Sequence, residues 1–248
     1  MPETHRIPVG DAAADAAPDV AAVRHEADSD DWLVFCHGLR SDKSGSYEYR
    51  CRRAREAGYN AVRFDARGCG ESDGAFVDST LATRLTDLRH VVDYFDPESY
   101  ALFGSSFGGK VAFHAAAEDE RVEAVATRAP VTTNGTFDEY RSAVEREGEW
   151  TFDTGERIDR RFFDALDRYP FDDVVGSLES PVAMFHGGDD DVVEPGDSFA
   201  AARQLETDVL VERFAGEGHR FSTAGEERLL ERLFDWLEWA SARGYSSY

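Results

Sequence analysis

An open, mostly parallel α/β sheet with helices on both faces is the fold class this sequence predicts. Three observations point to it. From Trp32 onward, short apolar runs alternate with longer amphipathic stretches, the mark of successive βαβ units. The runs are apolar throughout rather than every second residue, as expected of strands covered on both sides. Glycine-containing motifs recur where the predicted strands end, the edge at which such sheets bind ligands. At 248 residues the chain suits one large domain with an insertion.

The elements follow in order. Two early strands are expected near Ile7–Val9 and Val20–Glu26, with the Ala/Asp-rich patch from Asp11 to Val23 read as the turn between them. Trp32–Cys36 is a short buried strand. Gly45 to Gly58 reads as a helix closed by Gly58, which suits a left-handed C-terminal position. Asn60–Phe64 is the next strand. Leu81, Leu85, Leu88, Val92 and Phe95 make a helical stripe, with Asp78 or Ser79 as its N-cap. Ser99–Phe103 is a strand, Lys110–Glu118 an alanine-rich helix, and Val122–Thr127 a strand. The rhythm breaks at Thr132. From there to Gly176 the chain is charged and aromatic, with a helical stripe at Ile158, Phe162, Leu166 and Tyr169. It resumes with a strand at Pro181–Phe185, a helix from Gly196 to Leu205, a strand at Val209–Phe214, and a last helix carrying Leu229, Leu233, Leu237 and Ala240 on one face. The expected organisation is a core of 1–131 and 177–248 with a lid insertion, 132–176, over the strand ends.

Charge excludes some functions. Lys and Arg number 27 against 50 Asp and Glu, a net charge of −23. A nucleic-acid footprint needs a basic face, and an anionic membrane surface would repel such a chain. Neither partner is expected. Lys43 and Lys110 are the only lysines. An acidic, lysine-poor surface resembles that of salt-adapted cytosolic proteins, so a halophilic source is expected: salt screens the self-repulsion of a highly charged compact chain. The three cysteines, Cys36, Cys51 and Cys69, are odd in number and lack C-x-x-C spacing, which argues against a disulfide framework or zinc site. No signal peptide or spanning run is visible, and a cytoplasmic location is expected. No dinucleotide or phosphate loop and no metal-ligand spacing appears, so no cofactor and no metal are expected.

The sharpest local signal is Gly104-Ser105-Ser106-Phe107-Gly108, a G-x-S-x-G between a predicted strand and a predicted helix. Glycines two before and two after the serine remove side chains that would clash in a tight turn. The turn lifts Ser106 Oγ above the sheet, over a helix N-terminus. Ser105 fails the spacing and should be structural. A serine needs a base, and the base an orienting carboxylate. Of seven histidines, His219 alone lies late enough for the order Ser, acid, His. His114 and His186 read as packing residues; His5, His25 and His90 carry no motif. The acid belongs in the loop after Phe185, where Asp189, Asp190 and Asp191 leave the choice open. Phe107 N–H, next to the nucleophile, is one expected oxyanion donor.

Four stretches together resemble the α/β-hydrolase superfamily: His37-Gly38-Leu39, Asp65-Ala-Arg67-Gly68-Cys-Gly70-Glu-Ser72, the serine turn, and His186-Gly-Gly-Asp-Asp190-Asp-Val-Val193. The resemblance covers about residues 30–243 with the motifs in order. It implies that Asp190 is the acid, that Leu39 N–H is the second oxyanion donor, that His37 is packed, and that Arg67 ties loops together. A serine nucleophile excludes the aspartate-based dehalogenase and epoxide-hydrolase chemistries of the superfamily. The implied function is hydrolysis of a small acyl substrate, a carboxylic ester or thioester, through an acyl-serine. A serine aminopeptidase-like peptidase and a non-catalytic ligand-binding homologue are the alternatives. Phe162, Phe163, Tyr169 and Phe171 are candidates to line the substrate pocket beneath the lid. Oligomeric state is not readable from the sequence.

Overall fold

A computed structural model describes residues 1–10 and 17–242. The strands are β1 (Glu3–Pro8), β2 (Asp19–His25), β3 (Trp32–Cys36), β4 (Asn60–Phe64), β5 (Tyr100–Ser105), β6 (Val122–Arg128), β7 (Glu149–Thr151), β8 (Arg157–Asp159), β9 (Val182–Gly187) and β10 (Val209–Phe214). The α-helices are α1 (Ser46–Glu56), α2 (Leu81–Phe95), α3 (Phe107–Glu118), α4 (Asp138–Glu147), α5 (Arg160–Leu166), α6 (Phe171–Val175), α7 (Pro195–Ala202) and α8 (Thr223–Ala242).

Eight strands form one sheet in the order β1-β2-β4-β3-β5-β6-β9-β10. β1 and β2 pair antiparallel, as do β2 and β4; every later pair is parallel. The expected α/β class therefore holds. The core lies in two layers. On one face, α2, α3 and α7 cover Val34, Val62, Leu102 and Val125. On the other, α1 and α8 cover Leu33, Phe35, Phe103 and Phe185. Adjacent strand residues thus serve opposite layers, which is why the central runs are apolar without a break.

Several boundaries differ from expectation for local reasons. The cap of α2 is Thr80, whose hydroxyl accepts from Thr83 N–H, not Asp78 or Ser79; Phe76–Asp78 instead form a 3-10 turn. The helix after the serine begins at Phe107, three residues before Lys110, because the turn feeds directly into it. The stripe from Ile158 to Tyr169 is not one helix. Ile158 lies in β8, paired with Trp150 of β7, and α5 ends at Leu166. The hairpin was hidden because three-residue strands carry too little periodicity to register. Residues 11–16 of the expected early turn lie outside the described residues; Val20–Val23 belong to β2.

Between β6 and β9 the chain builds α4, the β7–β8 hairpin, α5 and α6. This excursion sits over α2 and α3. Among the described residues, no helix is long and apolar enough to cross a membrane, and all three cysteines are buried and unpaired.

Candidate active site

The turn after β5 is strained as the glycine spacing demands. Ser106 sits at φ 54°, ψ −120°, a region that L residues enter only at a cost. A Cβ at Gly104 would strike the Gly108 carbonyl, and one at Gly108 would strike the Cys36 carbonyl; any side chain there would force the turn open. The turn is held by Ser106 N–H donating to Arg128 O at 2.9 Å and by Ser106 O accepting from Gly109 and Val131 N–H. Ser105 points the other way: it is buried, and its Oγ accepts from Arg50 Nη1 at 3.0 Å.

The loop after β9 sets the three aspartates apart. Asp190 is buried, whereas Asp189 and Asp191 are exposed. Asp190 Oδ1 accepts from the Val192 and Val193 amides at 2.9 and 3.0 Å. Its Oδ2 lies 2.8 Å from His219 Nδ1 and 3.2 Å from His186 Nε2. Burial works against the charge. The bonds from His186, His219 and the two amides outweigh it and hold the carboxyl well below the usual carboxylate range. His186 is itself pinned by Ser198 Oγ at 2.7 Å and Val193 O at 3.0 Å. Sequence reading took His186 as packing only. Its second task, steadying Asp190, could have been inferred from the i, i+4 spacing between the end of β9 and the loop that follows.

Nδ1 of His219 is engaged by Asp190, and Nε2 makes no hydrogen bond among the described residues. Ser106 and His219 line one cavity of about 910 Å³, together with Gly38 and Leu39. No hydrogen bond joins Ser106 to His219 among the described interactions; His219 is bonded to Asp190, and Ser106 lines the same cavity as His219.

The loop after β3 packs on the nucleophile turn: a Cβ on Gly38 would lie 3.6 Å from both Ser105 O and Ser106 Cβ. His37 is buried and neutral. Its Nδ1–H donates to Gly38 O at 2.8 Å, and its Nε2 accepts from Ala66 N–H at 3.0 Å. Burial, with Arg84 beside it, pushes its pKa down to about 3. Arg84 is the residue sequence reading missed. It is buried on α2, and its guanidinium donates to the carbonyls of His37, Gly38 and Leu39 at 3.2, 3.2 and 2.9 Å. With its carbonyls drawn to Arg84, this loop holds Gly38 and Leu39 at the cavity wall. An arginine inside the apolar stripe Leu81–Leu85–Leu88 was the available signal. Arg67 behaves as the resemblance implies, gripping buried Asp87 through Nε at 2.8 Å.

The four aromatic pocket candidates are corrected. Phe162, Phe163, Tyr169 and Phe171 are absent from the cavity wall. Phe162 packs 5.5 Å from the Phe107 ring, Phe163 5.2 Å from Phe162, Tyr169 5.4 Å from His114, and Phe171 5.5 Å from Phe113. They anchor the excursion to α3 because α5 and α6 turn their apolar faces inward. The wall is formed instead by Val131, Phe137, Tyr140 and Phe152. Among the described residues, no group of three or more His, Cys, Asp or Glu is arranged to hold a metal.

A serine on a strained strand-to-helix turn, a late histidine bonded to a buried aspartate, and a mostly parallel sheet define the α/β-hydrolase class of scaffold. The chain belongs to that family: the family model for the alpha/beta hydrolase fold matches residues 31–168, more than half of the sequence. Among curated proteins, it is 28% identical over 218 residues to human "Palmitoyl-protein thioesterase ABHD10, mitochondrial", covering 82% of this chain and 71% of that protein. Among solved structures, alpha/beta hydrolase domain-containing protein 10 from mouse superposes with a TM-score of 0.80 at 23% identity, over 95% of this chain and 98% of that one. Est1E from Butyrivibrio proteoclasticus, solved with ferulic acid, gives a TM-score of 0.82 at 20% identity, over 96% and 99%. At these identities the structures share the fold with this chain.

Proposed function

We propose that this protein is a serine hydrolase that cleaves a carboxylic ester or thioester through an acyl-Ser106 intermediate. One observation carries the reading: buried Asp190 holds His219 by Nδ1 at 2.8 Å, at the cavity that Ser106 also lines. The thioesterase name of the relatives that match most of this chain favours an acyl thioester as substrate.

In this reading His219 Nε2 takes the Ser106 proton as Oγ attacks the acyl carbon, the Ser106–His219 bond tightening when substrate binds. Asp190, ionised well below neutral pH, fixes the imidazole tautomer and stabilises the imidazolium. The Leu39 and Phe107 amides receive the oxyanion. His219 then passes its proton to the departing oxygen or sulfur. Water, deprotonated by His219, releases the acid and restores Ser106. The excursion over α2 and α3 acts as a lid whose Phe137, Tyr140 and Phe152 receive the acyl group.

The test is turnover of p-nitrophenyl acyl esters and acyl thioesters, beside aminoacyl-naphthylamides, with fluorophosphonate labelling mapped to its peptide. Ester or thioester turnover that disappears in Ser106→Ala, with the label on Ser106, is expected. Turnover of the naphthylamides alone would make the protein a peptidase. A Ser106→Ala protein at near-wild-type rate, or no labelling, would remove the reading.

A further inference from the structure

The cavity has two chemically distinct ends. One is aromatic: Phe137 packs edge-on to Phe107 at 5.8 Å, and Tyr140 packs on Phe152 at 5.4 Å. The other lies between the start of α1 and the start of α8. It is lined by Tyr47, Arg128, Phe221 and Glu226, next along from His219 and Arg220.

At that second end two guanidiniums share one neighbouring carboxylate. Arg50 is fully buried and grips Glu226 through two nitrogens, with Nη2 at 3.0 Å from Oε2. One carboxylate answers one guanidinium. A second guanidinium, Arg128, stands at the end of β6 in register with Ser105. Its Nη1 is 3.5 Å from the Glu226 oxygen already shared with Arg50, and its buried Nε has no hydrogen-bond partner among the described residues. The side chain is 13% exposed, and it faces the cavity. The Phe221 ring lies 5.7 Å from its Cζ. Glu226 and, farther off, Asp190 are the carboxylates that act on Arg128, and neither answers its buried Nε. Burial and the neighbouring Arg50 push the Arg128 pKa down to about 10; it remains charged at neutral pH, held where a counter-anion would relieve it. A guanidinium offers a planar fork of donors that matches a carboxylate.

We propose that Arg128 is a specificity-determining residue that binds a carboxylate carried on the leaving group of the ester or thioester. The proposal rests on the Ser106 hydrolase reading. The side follows from the chemistry: His219 hands its proton to the leaving group, and Arg220, Phe221 and the Arg128–Glu226 pair cluster about that histidine's loop, while the aromatic end takes the acyl group. The carboxylates of Asp42, Glu139 and Asp191 also line the cavity and disfavour an anion elsewhere in it; Arg40, which lines it too, is already paired with Asp153. Selection therefore depends on where on the substrate the charge sits.

The experiment compares two butyrate esters of similar leaving group, 4-carboxyphenyl butyrate and neutral 4-carbamoylphenyl butyrate, on the full chain. Wild type should favour the carboxylate in kcat/KM by roughly tenfold to a hundredfold, mostly through KM, the worth of a charge-assisted hydrogen-bonded pair. In Arg128→Gln that ratio should fall toward one, and Arg128→Lys should restore part of it. A wild-type ratio of one or less, or a ratio that Arg128→Gln leaves intact, overturns the proposal. So does a preference for the 4-nitrophenyl monoester of glutaric acid over 4-nitrophenyl pentanoate, which would move the anion to the acyl side. Should Arg128→Gln fail to fold, wild type decides: benzoate but not benzamide should slow fluorophosphonate labelling of Ser106, and equal effects overturn the proposal. Loss of labelling and of neutral-ester turnover would instead count against the hydrolase reading itself.

Discussion

Lys110 should be a liability, and replacing it with methionine should stabilise the protein. It lies on α3, four residues past Ser106, with 0% exposure and no hydrogen-bond partner for Nζ among the described residues. Burial alone pushes its pKa from 10.5 down to about 8. At neutral pH the group is protonated in both the folded and unfolded chain, so the fold bears the full cost of the depressed affinity for that proton. At ~1.36 kcal/mol per pH unit the cost is about 3 kcal/mol. Methionine keeps the unbranched length and removes the ammonium, so the volume change is small. For a chain of this size the gain corresponds to roughly 6–12 °C in Tm. The measurement is urea unfolding of wild type and Lys110→Met at several pH values from 7 to 11. The unfolded chain binds the extra proton between pH 8 and 10.5, so wild-type stability from this group rises with pH across that window. The gap between the proteins should be widest at pH 7 and close by pH 11. Taking the difference cancels the buried thiols, such as Cys36, pushed up to about 12 by burial. A methionine variant no more stable than wild type at pH 7, or a gain that does not shrink as pH rises, would refute the reasoning.

Other outcomes follow from the same physics. Asp190→Asn should lower kcat on the best ester by about 10⁴-fold with little change in KM, by releasing the His219 tautomer; steady-state kinetics checks this, and a loss below tenfold would contradict it. Arg84→Lys, whose single ammonium cannot span the carbonyls of His37, Gly38 and Leu39, should cut kcat on the order of tenfold to a hundredfold while Ser106 still labels; unchanged kcat would show that the clamp does not matter. His37 and His114 are buried with pKa values pushed down to about 3, so the unfolded chain binds two extra protons below pH 6.5. Stability should then fall as pH drops from 6.5 toward 4, by ~2.7 kcal/mol per pH unit for the pair, and by about half that in His114→Gln; denaturant melts give both slopes, and equal slopes would count against it. Melting temperature should rise from low to multimolar KCl, as salt screens 50 carboxylates facing 27 cations; equal stability in both would refute the expectation of salt adaptation.

The sequence by itself determined the scaffold and the chemistry-bearing types. Trp32–Cys36 and Asn60–Phe64 are read at the strand bounds found because a doubly covered strand writes its burial into consecutive residues; Val209–Phe214, a half-exposed edge strand, is also read at its bounds. Gly104 and Gly108 announce the turn at Ser106 because their backbone neighbours leave no room for a Cβ. These are local constraints, and a local constraint is visible in a local sequence. Which aromatics face the cavity was decided only in three dimensions. Phe162 and Phe152 are both buried rings in the same excursion, and only the path of α5 and the β7–β8 hairpin turns one toward Phe107 and the other toward the cavity. The Arg84 clamp on the loop after β3, and the Arg50–Glu226–Arg128 cluster, also join residues far apart in the chain. Such pairings depend on distances set by packing, to which a one-dimensional pattern has no access.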